Sequence, residues 1–366
     1  MRAKLFRALG LVALTLVLVG CSGGDKPQNT FDPAGPTAQS QKDLLMPVMW
    51  VAAVVFVIVE GGIVLIAIKY RHRKGRDLLP PQTHGNTRLE IGWTILPAVV
   101  LAFVMVPTVS LIWDLSRHPD PGAMNVTVEG HQWWWAFRYT DPDMAVGYGD
   151  QGPITTADVM VIPVGREIYL SLESHGGGAQ DANGVTDFEV IHSFWVPRLA
   201  GKQDVVPGRT NHIILQADEP GTYWGQCAEF CGLQHGRMRF RVVALDQPAW
   251  DAWVAHQKQP AAPPTDPLAK AGMDLFLHGV SSGGQCIACH AVGGTDAAAA
   301  VAPNLTHFAD PNHQCFAGCT WDTSDEAALR AWLANPDAVR LGSKMPNYHL
   351  TPEEIDQLVA YLLSLK

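Results

Sequence analysis

Two long apolar runs constrain this chain before anything else does. Met46 to Ile68 is broken only by Glu60, and Trp93 to Trp113 carries no charge. Each exceeds the roughly 20 residues that a helix needs to cross about 30 Å of hydrocarbon. Lipid offers the backbone no water to bond, so both runs are predicted to be helical. Lys69, Arg71, Arg73, Lys74 and Arg76 lie between them. The positive-inside rule puts this cluster in the cytoplasm, giving a transmembrane hairpin with both outer ends on the export side. The hairpin is expected over residues 46–115, with everything after about residue 116 extracytoplasmic. Glu60, inside the first span, must face protein or water.

The start of the chain reads as an export signal. Arg2, Lys4 and Arg7 precede an apolar stretch from Ala8 to Val19, the pattern of a signal peptide over residues 1–20. Leu18-Val19-Gly20-Cys21 resembles the lipobox of bacterial lipoproteins, which implies lipidation of Cys21. Residues 21–45, rich in Gly, Pro, Ser and Gln, then read as a flexible tether with nothing to bury. The charged fraction of 17% against 47% hydrophobic excludes a disordered chain. A formal net charge of −9 argues against a nucleic-acid partner, because phosphate binding needs a basic surface.

Residues 122–246 read as all-β. Short runs such as Val126-Thr127-Val128, Val159 to Ile162, Ile168 to Leu172, Ile213 to Leu215 and Phe240 to Val243 are punctuated by Pro, Gly, Asp and Asn, as a sandwich or barrel requires. Residues 247–265 are expected to be a linker, most clearly the Pro/Ala/Gln stretch from Gln257 to Pro264. From 266 to 366 the signals turn helical. Thr351-Pro352-Glu353-Glu354 forms a capping box with proline at the first helical position. Ile355, Leu358, Val359, Leu362 and Leu363 then share one face. Asp266-Pro267 opens a similar helix ending near Gly279.

The seven cysteines carry the chemistry. Cys227, Cys231, His235 and Met238 pack two thiolates, an imidazole and a thioether into twelve residues. Soft sulfur donors with an imidazole select copper, and zinc has little use for methionine. A mononuclear copper loop carries one cysteine, whereas two cysteines at this spacing can bridge a pair of ions. His192, on a distant strand-like segment, is the candidate for a second imidazole. The competing reading is a Cys227–Cys231 disulfide, which leaves the spacing of His235 and Met238 unexplained.

Here the sequence resembles cytochrome c oxidase subunit II, over about residues 45–246. Glu90-Ile91-Gly92-Trp93, Gly130-His131-Gln132-Trp133-Trp134-Trp135, His192-Ser193-Phe194-Trp195 and Gly225-Gln226-Cys227-Ala228-Glu229-Phe230-Cys231 carry the resemblance. It implies a cupredoxin-like Greek-key fold and a dinuclear CuA centre. The ligands would be His192, Cys227, the Glu229 carbonyl, Cys231, His235 and Met238. It also implies a magnesium ion held by the Glu229 side chain at the interface with subunit I. Glu90 would stand at a proton-pathway entrance and Trp133 at the point of electron entry, although Trp134 departs from the family's usual tyrosine. Quinol-oxidising relatives lose the cysteines, so their presence here implies a cytochrome c donor.

Cys286-Ile287-Ala288-Cys289-His290 is the pattern for covalent haem attachment. Cys286 and Cys289 would form thioethers and His290 would ligate the iron. Met345 is the expected sixth ligand, since a thioether favours high potential. The segment resembles a class I cytochrome c, which implies that Pro303 orients His290. Cys315 and Cys319 remain, and their spacing on an exported loop favours a local disulfide, with an extra metal site including His313 as the alternative.

The combined expectation is a multidomain membrane protein: a helical transmembrane hairpin, an all-β copper domain and an all-α cytochrome c domain. The resemblance implies subunit II of a caa3-type haem–copper oxidase in a bacterial cytoplasmic membrane. Its partners would be subunit I, with haem a and the haem a3/CuB site, and subunit III. The CuA subunit of a nitric oxide reductase and a free-standing redox or copper-carrier lipoprotein stay open as alternatives.

Overall fold

The computed structural model describes residues 27–71, 84–147, 152–175, 189–312 and 315–366. The signal segment, Cys21, Arg73, Lys74, Arg76 and His313 lie outside the described residues. Two long helices, α1 (Pro36–Tyr70) and α2 (Thr87–Leu115), carry the apolar runs. Asn86 caps α2 by accepting from the Arg88 and Leu89 amides at 3.1 and 3.3 Å. Apolar side chains such as Phe56, Ile58, Leu101 and Phe103 are exposed along both helices, as expected of surfaces that face lipid.

Both helices outrun the predicted spans, and the tether expectation is corrected in its described part. α1 starts at Pro36, and Ala34, Thr37 and Ala38 are buried. The Ala34 amide donates to the Arg198 carbonyl at 2.7 Å, and the Thr37 hydroxyl to the Ile214 carbonyl at 3.2 Å. Asp32 pairs with Arg198 at 2.8 Å. Small residues let this strand of chain lie close against the β domain, so helix entry is fixed on it rather than hung from a loose leash.

The β domain is a sandwich of two five-stranded sheets. The first sheet runs β3 (Thr155–Ala157), β2 (Trp134–Tyr139), β1 (Met124–His131), β5 (Ile168–Ser174), β8 (Asn211–Leu215). The second runs β4 (Val159–Pro163), β10 (Arg239–Leu245), β9 (Gly221–Cys227), β6 (His192–Trp195), β7 (Lys202–Val205). Alternation is clean in β5, where residues 168, 170, 172 and 174 are buried, the period of a half-covered strand. Strand β9 alternates likewise, with residues 223, 225 and 227 buried, and Gly225 lies beneath the Phe240 ring, where a Cβ would collide. Trp135, Phe137, Phe194 and Phe240 fill the space between the sheets.

The expectation of a linker over 247–265 is also corrected. Gln247–Gln257 is a helix, α3, capped by Asp246, whose side chain accepts from the Ala249 amide at 3.0 Å. Trp250 and Trp253 stack on one another and meet Tyr139, inside the core of the β domain. Burial of two indoles outweighs the turn-like composition around them. The chain from Lys258 onward is tied down as well: the Ala261 amide donates to the Gly293 carbonyl at 3.0 Å, and His307 meets the Gln259 carbonyl at 3.2 Å.

The C-terminal domain is built on α4 (Pro267–His278), α5 (Glu326–Ala334), α6 (Pro336–Val339) and α7 (Pro352–Ser364). Asp266 caps α4, and the capping box of α7 forms as expected, with Thr351 and Glu354 each bonding the other's amide. A short hairpin, β11 (Cys315–Phe316) with β12 (Trp321–Asp322), interrupts the helices. It carries a disulfide between Cys315 and Cys319, whose Cα atoms are 4.8 Å apart.

Candidate metal centres

The copper candidates converge at one end of the second sheet. Strand β9 ends at Cys227, a loop carries Glu229, Cys231 and His235, and Met238 precedes β10. The loop is held at both ends: the Cys227 amide donates to the Met238 carbonyl at 2.9 Å, and the Ala228 amide to the Ser193 carbonyl at 2.9 Å. Pairing of β6 with β9 sets Phe194 opposite Cys227 and brings His192 alongside. Cys227 Sγ and Cys231 Sγ are 3.7 Å apart. The Glu229 carbonyl lies 3.2 Å from Cys227 Sγ, and Met238 Sδ lies 3.7 Å from Cys231 Sγ. His192 Nδ1 is 3.9 Å from the first sulfur, and His235 Nδ1 is 3.8 Å from the second. All six donors named from the sequence therefore meet in one place.

Electrostatics favours a cation at this cluster. Cys227, Cys231, His192 and Met238 are buried. The Cys231 thiol and His192 stabilise a thiolate on Cys227 and pull its pKa down, while that charge and burial push Cys231 far up. Two adjacent thiolates need positive charge beside them. The donor set of thiolates, imidazoles, thioether and carbonyl fits copper ions on soft-ligand grounds.

The haem candidates line an apolar cavity in the C-terminal domain. Cys286, Cys289, His290 and Met345 share its wall with side chains such as Phe276, Leu305, Phe308 and Leu358. Burial raises Cys286 to about 11 and raises Cys289 as well, so both are neutral thiols in an apolar wall rather than reactive thiolates. The His290 Nδ1–H donates to the Pro303 carbonyl at 2.8 Å. That bond fixes the ring and leaves Nε2 to act as the ligand atom. Burial lowers the His290 pKa, which keeps the imidazole neutral for ligation. The lining fits a flat apolar group attached through two sulfurs.

Trp133 lies between the two centres. Its indole N–H donates to the Cys231 carbonyl at 3.0 Å, and Gln132 donates to the same oxygen at 2.8 Å. The same indole borders the haem-candidate cavity, and it is only 7% exposed because the C-terminal domain covers it. Trp135 is core, and Trp134 stacks on His131 with ring centroids 4.2 Å apart. Glu90 stands exposed in the first turn of α2 and Glu229 is exposed on the copper loop. Three residues of this junction escaped the sequence reading: Asp158, Gly318 and Arg340. A left-handed backbone at Asp158, with φ of 58°, leaves no mark in the sequence.

A sulfur-rich donor set in a β sandwich, joined to a CxxCH cavity and two membrane-length helices, defines a membrane-anchored protein of electron transfer. Comparison with known proteins makes the class specific. The model of the cytochrome c oxidase subunit II periplasmic domain matches residues 124–245, that of its transmembrane domain residues 26–111, and that of cytochrome c residues 269–366. Cytochrome c oxidase subunit 2 of Alkalihalophilus pseudofirmus is 38% identical, covering 98% of this chain and 97% of the relative. The subunit 2 of Bacillus sp. PS3 is 34% identical, with 99% and 97% covered. Quinol oxidase subunit 2 of Bacillus spizizenii is 33% identical but covers 68% of this chain and 73% of the relative. The chain belongs to the cytochrome c oxidase subunit II family and carries a C-terminal cytochrome c domain. It is a component of an oxidoreductase complex, and its two cofactor domains bind copper and haem c.

Proposed function

We propose that this chain is subunit II of a caa3-type oxidase. With copper and haem bound, the two domains supply one-electron chemistry, taking electrons from a cytochrome c donor through haem c and CuA to haem a of subunit I, where oxygen is reduced to water. His192, Cys227, the Glu229 carbonyl, Cys231, His235 and Met238 hold the copper pair; Cys286, Cys289, His290 and Met345 hold the haem. The observation that carries the reading is Trp133, which borders the haem cavity and hydrogen-bonds the carbonyl of a copper ligand. One indole and its hydrogen bond to the Cys231 carbonyl bridge the two sites, and such buried, fixed donors restrict solvent reorganisation around a moving charge.

The remaining assignments follow from the same reading. The exposed Glu229 carboxylate would meet magnesium against subunit I, and Glu90 would open a proton pathway. Subunit III completes the complex, and Cys21 is the lipidation site of an export signal in a bacterial cytoplasmic membrane. Both cofactor domains then lie outside the cytoplasm. Purification of the membrane complex, identification of its catalytic subunit and parallel assay with oxygen and nitric oxide test the proposal. Oxygen turnover driven by reduced cytochrome c is expected. Turnover of nitric oxide alone, or isolation of the chain without a catalytic subunit, would overturn it.

A further inference from the structure

The cytochrome domain is not only attached to the copper domain; it is keyed into it. Arg340, 4% exposed, leaves the cytochrome domain and donates Nη2 to the carbonyl of Trp133 at 2.8 Å, with the Arg237 carbonyl 3.4 Å away. Both acceptors belong to the copper domain, and Arg237 sits on the copper loop itself. Beside them the disulfide-bonded loop inserts its tip. The Gly318 amide donates to Asp158 Oδ2 at 2.7 Å, and its carbonyl accepts from the Arg239 amide at 3.1 Å. Cys315 and Cys319 are buried within the hydrophobic cluster of the copper domain rather than that of their own domain.

Gly318 has no room for a side chain. Its φ is +63°, and a Cβ would stand 2.7 Å from both the Arg237 carbonyl and Arg340 Nη2, and 3.0 Å from the Trp133 carbonyl. The chain then runs directly from Arg340 to the haem ligand. Gln234 of the copper loop donates to the Leu341 carbonyl, Gly342 packs against the Trp133 ring, and Lys344 Nζ lies 5.9 Å from that ring's centroid. Met345 follows immediately.

We propose that Arg340, seated by the disulfide-bonded loop Cys315–Cys319, is the positioning residue for electron transfer between the two centres. It anchors the Met345 loop on Trp133 and closes that indole to soluble donors, so the fused domain is a fixed donor rather than a tethered shuttle. The step it serves moves one electron, with ferrous haem iron becoming ferric and the copper pair gaining one reducing equivalent. No bond or proton changes hands. The proposal rests on the functional reading above, and it adds a consequence: a buried contact is poorly screened, whereas docking through exposed charges weakens with salt.

The test uses the full chain in its assembled oxidase, comparing wild type with Arg340→Ala, Arg340→Lys and Gly318→Ala. Hydrogen exchange at the Trp133–Trp135 amides is read first, then the haem-to-copper rate after flash injection of an electron into the haem, at low and high salt. Wild type is expected to show protected amides and a rate independent of salt. Arg340→Ala should raise exchange at these amides by about tenfold to 100-fold, the factor set by loss of one buried hydrogen bond from a charged group. Its transfer should become slower and salt-dependent, with the methionine–iron and copper spectra unchanged. Arg340→Lys, which keeps the charge and a donor, should recover part of both. Should Arg340→Ala fail to assemble, Gly318→Ala gives the same two readouts by crowding the guanidinium. Wild-type exchange and salt-independent wild-type rates in the variant that assembles would overturn the positioning role. Absence of haem-to-copper transfer in wild type itself would instead refute the functional reading, and this inference with it.

Discussion

The two cofactor domains of this chain build their sites by opposite means. In the copper domain the backbone does the work. Five of the six donors come from one loop of twelve residues, and strand pairing delivers the sixth. A filled aromatic core beneath them, with Trp135, Phe194 and Phe240 buried, supports the loop without help from its ligands. In the cytochrome domain Cys286, Cys289 and His290 share one short segment and Met345 comes from another, and both border a cavity that apolar side chains from α4, α5 and α7 face as much as one another. A site written into a rigid frame should survive loss of its cofactor; a site whose cofactor completes the core should not.

The largest test of that contrast removes haem attachment. In a Cys286→Ser, Cys289→Ser variant, helices α4 and α7 should lose protease resistance and the C-terminal domain should lose its cooperative transition, while the copper domain still melts as a unit. The matching variant, Cys227→Ser, should abolish the mixed-valence copper signal yet leave both the fold and the haem spectrum intact. Equal collapse of both domains, or of neither, would break the comparison.

A second test concerns which domain owns α3. Trp250→Ala should destabilise the copper domain by about 3–5 kcal/mol, the cost of emptying a buried indole site, and leave haem absorption unchanged. A shift confined to the cytochrome domain in calorimetry would reassign the helix.

Third, the seam between the domains should respond to pH. Burial raises Asp158 to about 6. The folded state therefore binds this proton more tightly than the unfolded chain, whose carboxylate titrates near 4. Stability must fall as pH rises through that window, by up to about 3 kcal/mol. Asp158→Asn cannot titrate, so its stability relative to wild type should improve between pH of about 4 and about 6. A flat difference across that range would show that Asp158 is not held neutral.

The smallest effect is predicted at the rim. Arg241 pairs with Asp322 across the domains at 2.7 Å, but the Asp322 side chain is 59% exposed. Asp322→Ala should cost less than about 1 kcal/mol, as exposed pairs do, and should leave hydrogen exchange at Trp133 unchanged.

Much of this was legible from sequence because it is local. The spans were set by length and hydropathy, although the helices begin earlier, at Pro36 and Thr87, where side-chain and backbone contacts extend them. The capping box at Thr351, the copper loop and the CxxCH segment were readable because each places its chemistry within a few residues. The helix over Gln247–Gln257 was missed since flanking Pro, Ala and Gln masked two tryptophans whose burial is decided by Tyr139, more than a hundred positions away. The N-terminal stretch looked featureless because its small residues bury themselves against a surface formed later in the chain.

What the sequence determined by itself was the chemistry: which atoms can bind copper, which can bind haem, and which segments must cross lipid. Residue type and spacing suffice there, because ligand softness, covalent attachment and desolvation are properties of short stretches. Only the tertiary structure decided how the centres face one another. The Arg340–Trp133 bond joins residues 207 positions apart, and its strength depends on both partners being taken out of water together. Burial of that kind belongs to the packed pair of domains, and no local pattern in either one encodes it.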